Sequence, residues 1–228
     1  MRPLVRKPTF MSSTDEAKQI RQLQADNARL RRLLEQQDLP SSLRHQVRNA
    51  LGLMRSIALR SAETKDSIED FIAHLDGRFD ALLRVQTAML SNRDGRADLT
   101  MLIADELMAQ TIQEGSQATI TGPIVRLDAQ QAELIGLAVH ELATNAVKFG
   151  AMTVSHGRIE VSWTFSPSNT LTLVWAENGR ADPPSSFRGF GMEAIEGMLP
   201  YQLRAESKLE FLSEGLRCTI MLPLASRL

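Results

Sequence analysis

The chain has 228 residues, a formal net charge of -1 and 43% apolar side chains. That apolar fraction is enough to build a buried core and excludes a disordered polypeptide. The near-neutral balance supplies no field for nucleic acid or an anionic membrane, so neither is expected as a main partner.

No apolar run reaches the roughly 18 residues of a membrane-spanning helix. The basic start, MRPLVRKPTF, lacks the apolar stretch of a signal peptide. No membrane insertion and a cytoplasmic location are therefore expected.

The first segment, residues 1–40, is a tail and a charged helix from about Thr14 to Gln37. Ile20, Leu23, Leu30 and Leu34 fit a heptad, with Asn27 in the seam between Leu23 and Leu30. A single Asn in such a seam fixes two-stranded register, so a parallel coiled coil is expected. Pro40 interrupts the pattern.

Residues 41–92 read as an antiparallel helical hairpin. Leu43, Val47, Ala50, Met54 and Ile57 form the stripe of its first helix, spaced by three and four. Ile68, Phe71, Ile72, Leu75, Phe79, Leu82, Leu83 and Met89 form that of its second. Two such helices alone bury little, and a second copy would complete a four-helix bundle, so a homodimer is expected. His45 lies two residues past Leu43, about 200° around the helix, and so faces away from the seam. Arg48, Asn49 and Gly52 follow at helical spacing on the same outer face. An exposed imidazole there can act as a nucleophile.

Asn92–Arg96 is polar and turn-rich and reads as a boundary. Residues 97–228 then mix helices and strands. Helices are expected over Leu99–Ile112 and Ala129–Phe149, the second closed by Gly150 at its C-cap. Short strands flank Gly122–Pro123. Strands over Arg158–Phe165 and Thr170–Ala176 form a hairpin through Ser166–Asn169. A Gly- and Pro-rich loop over Glu177–Gly191 leads to a short helix ending near Met198. Strands over Leu209–Ser213 and Leu216–Leu222 pair through Glu214–Gly215. Cys218, the one cysteine, lies in this last run, where a buried small hydrophobe is expected. The expected fold class is α+β: a coiled-coil helix and helical hairpin, then a two-layer sandwich of a mixed sheet with helices on one face.

Three stretches of this last segment carry chemistry. On the long helix, Glu141, Asn145 and Lys148 line one face at i,i+4 and i,i+3 spacing, next to His140. An amide oxygen there can hold Mg²⁺ beside phosphate oxygens, and the lysine adds positive charge. Glu177 follows Trp175 at the end of a strand, where a carboxylate can accept a hydrogen bond from an adenine amino group, and Gly179 lets the backbone approach the base. Gly189–Phe190–Gly191 opens a helix, which bares N–H groups to phosphate.

In this order these motifs resemble the HWE and closely related HisKA_2 histidine kinases, whose ATP-binding domain is of the GHKL ATPase type. His140 to Gly150 is similar to the family's N box, Trp175–Ala176–Glu177 to its Trp-x-Glu motif, and Gly189–Phe190–Gly191 to its second glycine box. Leu43 to Asn49 resembles the phosphoacceptor box. The resemblance implies ATP and Mg²⁺ as cofactors and His45 as phosphoacceptor, with Arg48 and Asn49 beside it. Asn145 would hold Mg²⁺, and Glu177 would stand in the place of the adenine-binding acid. His140, Glu141, Lys148, Gly179, Gly189 and Gly191 would complete the nucleotide site. A response-regulator receiver domain is the implied acceptor. With residues 1–40 too few for a sensor domain, the signal is expected from a separate sensor partner, or the chain is a fragment.

Four positions depart from the pattern: Gln46, Arg48 in place of Lys, Phe149 in place of Tyr, and Ala181 in place of a glycine. No acid adjoins His45, so its general base stays unassigned. Two other readings share the architecture: a histidine phosphotransferase with a non-functional ATP site, and a regulatory module that answers to ATP through its coiled coil.

Overall fold

The computed structural model describes residues 18, 21–22, 24–29, 41–61, 68–179 and 190–224. They divide into two compact units, Met1–Asp76 and Gly77–Leu228.

In the first unit, residues 18, 21–22 and 24–29 are helical, as is α1 (Ser41–Ser61). The heptad positions Ile20, Leu23, Leu30 and Leu34 lie outside the described residues. Asn27 is described, and its Nδ2 donates to the Leu51 carbonyl of α1 at 3.0 Å. Along α1 the expected stripe is only partly the buried one. Ile57 is fully buried, but Leu51, Leu53 and Ala58 are buried with it, while Val47, Ala50 and Met54 are not.

The division between units falls inside α2 (Ile68–Ser91), ahead of the polar turn at 92–96. Its buried face explains why. Leu75, Arg78, Ala81, Leu82, Val85 and Met89 are buried, whereas Leu83, expected inside, is 58% exposed. The stripe is rotated so that a charged residue, Arg78, lies within it. From Gly77 onward α2 belongs with the sheet-bearing unit.

That unit continues through β1 (Ala97–Asp98), α3 (Leu99–Ala109), β2 (Ala118–Thr121), β3 (Arg126–Leu127) and α4 (Ala129–Lys148). Asp98 caps α3 by accepting from the Thr100 and Met101 N–H groups. Asp128 and Gln131 form a capping box that starts α4. The two short strands around Gly122–Pro123 part company: β3 pairs with β1, and β2 joins the main sheet. Trp163 Nε1 donates to the Pro123 carbonyl at 2.7 Å and anchors that break.

The main sheet adds β4 (Arg158–Phe165), β5 (Thr170–Asn178), β6 (Glu206–Leu212) and β7 (Gly215–Pro223), in the order β2-β4-β5-β7-β6. β2 runs parallel to β4, and the remaining pairs are antiparallel, so the sheet is mixed as expected. Register lines up Ile159, Glu177 and Leu216 in one row, and Val161, Trp175 and Cys218 in the next. Every one of these is buried. Side chains on alternate positions, such as Glu160, Val174 and Thr219, are half-exposed or exposed, so one face of the sheet carries the core. Cys218 sits in that core, where burial above all, with the Glu196 charge, pushes its thiol up to about 12. Between β5 and β6 the chain forms α5 (Phe190–Met192), a π-helical turn (Glu193–Met198) and α6 (Leu199–Leu203).

Among the described residues no helix is long and apolar enough to cross a membrane.

Candidate functional site

Helix α4 is the spine of the site. Its interior positions from Ala132 to Ala143 are all buried, and exposure returns only at Val147, Lys148 and Phe149. Four of the residues singled out from sequence stand on it at different depths. Lys148 is exposed and Asn145 half-buried, while Glu141 and His140 are buried.

Glu141 is held from α2. Arg78 Nε donates to Glu141 Oε1 at 2.6 Å, and Arg78 Nη2 to Oε2 at 3.3 Å. One turn further on, Asn145 meets the glycine that opens α5. A Cβ on Gly191 would lie 3.2 Å from Glu141 Oε2 and 3.3 Å from Asn145 Nδ2. Glycine is therefore what lets the α5 backbone lie flat on the polar face of α4. A π-helical turn follows directly, an irregularity common at functional sites. Gly189 and the rest of 180–189 lie outside the described residues.

Glu177 sits on β5, which runs on to Asn178 rather than stopping at Ala176. It is 2% exposed. Its Oε2 accepts the Ala151 N–H at 2.9 Å, and its Oε1 accepts Trp175 Nε1–H at 3.1 Å. A strand's period of two puts Trp175 and Glu177 on the same face, so the indole can reach the carboxylate. Trp175 therefore does more than fill the core, because its indole fixes one oxygen of Glu177.

Gly150 has a different role from the one its position suggested. The C-cap of α4 is Phe149, and Gly150 has φ -101, which any residue adopts. What a side chain at 150 would do is overlap Glu177 Oε2. Gly150 is there for room, not for a left-handed turn. Gly179, at φ +104, does occupy left-handed space and packs its Cα region on Gly157 and His156.

His140 faces another cluster. Its Nδ1 lies 3.2 Å from Glu106 Oε2, and Arg84 grips both Glu106 oxygens at 2.8 Å. Gly77 lies flat on the imidazole: a Cβ there would be 3.2 Å from Nε2. Burial alone would raise the Glu106 carboxyl, but the hydrogen bonds from His140 and Arg84 outweigh it and hold it below the usual range. His140 thus stands in a buried charged cluster that ties α2 and α3 to α4.

A third link is Gln86 Nε2, which donates to the buried Glu133 of α4 at 2.6 Å. Burial chiefly, together with the Asp128 charge, outweighs that bond and raises the Glu133 carboxyl to about 7. The folded state then binds this proton more tightly than the unfolded chain does. Its contribution is most favourable below the ordinary carboxylate value of 4.5 and is lost as pH rises to 7. Glu133→Gln keeps the shape and an acceptor for Gln86. It should stabilise the fold by on the order of 2 kcal/mol at pH 8 and by little at pH 5, read from urea unfolding. An equal gain at both pH values would remove Glu133 as the titrating group.

Sequence reasoning missed Arg78, Arg84, Gln86, Glu106 and Glu133. No pattern of one helix shows that a charge at a seam position meets an opposite charge far along the chain.

On α1, Arg48 and Asn49 are exposed. His45 lies within α1, and its side chain is outside the described residues.

Whether these residues suit a magnesium nucleotide can be judged from the structure itself. Gly191 leaves a cradle against Asn145 that any Cβ would crowd. Next to Asn145, Thr144 Oγ1 is buried and, among the described residues, has no hydrogen-bond partner. The half-buried Asn145 amide and the exposed Lys148 supply an oxygen ligand and a cation one turn apart. The donor set fits Mg²⁺ and phosphate.

The fold is shared with solved histidine kinases. The blue-light activated histidine kinase of Erythrobacter litoralis superposes with a TM-score of 0.64 at 18% identity, over 83% of this chain and 62% of that one. Its separately solved histidine kinase domain gives 0.56 at 17% identity, over 93% and 95%. The family model for HWE histidine kinases matches residues 42–124. Blue-light-activated histidine kinases of Erythrobacter litoralis and Rhizobium johnstonii are 28% and 29% identical over 86% and 95% of the chain. The chain spans 56% and 60% of the length of these two relatives. In each comparison the chain is similar to histidine kinases, and over residues 42–124 to the HWE family.

Proposed function

We propose that the chain is an ATP-dependent protein-histidine kinase that phosphorylates its own His45 and hands the phosphoryl group to an aspartate of a response-regulator receiver domain. The observation that carries this reading is the meeting of Asn145 with Gly191, together with the buried, doubly anchored Glu177 at the end of α4.

The residues divide the work between base, phosphates and acceptor. Glu177 recognises the adenine amino group, directly or through a water, with its two oxygens already oriented by Ala151 and Trp175. Gly179 keeps the backbone close to the base. Asn145 offers its amide oxygen to Mg²⁺, which neutralises phosphate charge when bound. Lys148, and the backbone N–H groups that Gly189 and Gly191 bring, would supply charge and donors to the phosphates. One nitrogen of the His45 imidazole then uses its lone pair on the γ-phosphorus. The N–P bond forms as the β,γ-bridging P–O bond breaks, and ADP leaves with that oxygen. Arg48 and Asn49, exposed one turn on, would contact the phosphoryl group or the incoming receiver domain. A homodimer through the helical hairpin and the coiled-coil helix, and a separate sensor partner, complete the proposal.

The test is to incubate the chain with Mg²⁺ and γ-labelled ATP, then map the label. Label that is acid-labile, alkali-stable and confined to the tryptic peptide carrying His45 is the expected result. Nucleotide binding without label would favour a regulatory module. Neither binding nor label would leave the phosphotransferase reading.

A further inference from the structure

Resting on the kinase reading, we infer that Arg78 is a positioning residue for the nucleotide site, and that it acts by neutralising Glu141. The two partners are 63 residues apart in sequence, and both are buried. Arg78 engages both carboxylate oxygens of Glu141. A carboxylate held by a guanidinium fork in this way has little left to offer a metal or a water.

The location gives the pair its consequence. Glu141 Oε2 is the nearest atom to the open side of Gly191, ahead of Asn145 Nδ2. Without Arg78, a negative charge would stand uncompensated at the place where Asn145 and the α5 glycine must receive Mg²⁺ and phosphate. A buried carboxylate stripped of its partner also moves toward water. Here the way out is occupied by the Gly191 backbone, so the glycine turn would be pushed off α4. Both effects weaken nucleotide binding, and both run through the charge of Glu141. An Arg78 that merely filled space would show neither. The link also means that α2, the helix next in sequence to the one bearing His45, contributes a side chain to the organisation of the ATP site.

The test compares wild type, Arg78→Met and Arg78→Met/Glu141→Gln, with folding checked by circular dichroism. Affinity for Mg-ATP and hydrogen exchange at Gly191–Met198 without nucleotide are the readouts. Arg78→Met should bind Mg-ATP about tenfold more weakly and exchange faster over that segment. Adding Glu141→Gln should recover most of both losses, because it removes the charge that Arg78 was balancing. Should Arg78→Met fail to fold, Arg78→Lys keeps the charge without the fork and should lose about threefold in affinity. A double variant no better than Arg78→Met, or an Arg78→Met protein with unchanged exchange, overturns the inference. If wild type binds no Mg-ATP, the kinase reading fails, and the exchange comparison still decides whether Arg78 positions the Gly191 turn.

Discussion

Asn145→Ala is expected to cut autophosphorylation by about a hundredfold or more while leaving the fold as stable as before. Asn145 is half-buried in the interior of α4, where Ala is the better helix former by up to about 0.7 kcal/mol. Its removal creates no clash and breaks none of the ion pairs that tie the helices together. What disappears is the amide oxygen proposed to hold Mg²⁺ opposite the Gly191 cradle. Rate and stability should therefore separate cleanly. The measurement is label incorporation from γ-labelled ATP alongside urea unfolding. A rate within about threefold of wild type would remove Asn145 from the metal site, and a large drop in unfolding midpoint would mean that it acts through the fold.

Gly150→Ala should do the reverse and damage both. The added Cβ would overlap Glu177 Oε2 and lie 2.7 Å from the Ala146 Cα, a backbone atom that cannot step aside. Overpacking of this kind costs about 1–3 kcal/mol. Here it is compounded, because Glu177 must leave the Ala151 N–H and would stay buried with a partner lost. A loss of roughly 3 kcal/mol or more in urea unfolding is expected, with Mg-ATP binding abolished. Backbone strain is no part of this expectation, since φ at Gly150 is -101. An alanine variant of wild-type stability would mean that Glu177 and α4 have slack the structure does not show.

These two positions mark what could be read in advance. Asn145 was legible because its neighbours at i-4 and i+3 on one helix are polar, and helical spacing is a local property. The same holds for the strands β4 to β7, whose alternation matches the buried rows through Trp175 and Glu177, and for the mixed sheet that they form. Gly150 was found but given a helix-ending role, because its true neighbour, Glu177, is distant in sequence and comes close only when β5 lies beside the end of α4. The buried face of α2 was misjudged for a related reason. Arg78 breaks the apolar stripe, and a charge reads as exterior until its partner Glu141 is seen. Leu83 was assigned to that stripe and instead faces outward. Local periodicity reaches as far as one element, and long-range charge pairing lies beyond it.

The second half of α2 gives the chain a constraint on how it can diversify. Arg78, Arg84 and Gln86 are matched one by one to Glu141, Glu106 and Glu133 across α3 and α4. Recombination at the turn-rich stretch 92–96 would cut between α2 and the sheet, which looks harmless. Yet a helix supplied there without these three side chains would strand three acids in a low-dielectric core. The boundary between the two compact units lies upstream, at Gly77. The second half of α2 is thus tied to the sheet-bearing unit, and loss of Arg78 or Arg84 calls for a matching change at Glu141 or Glu106.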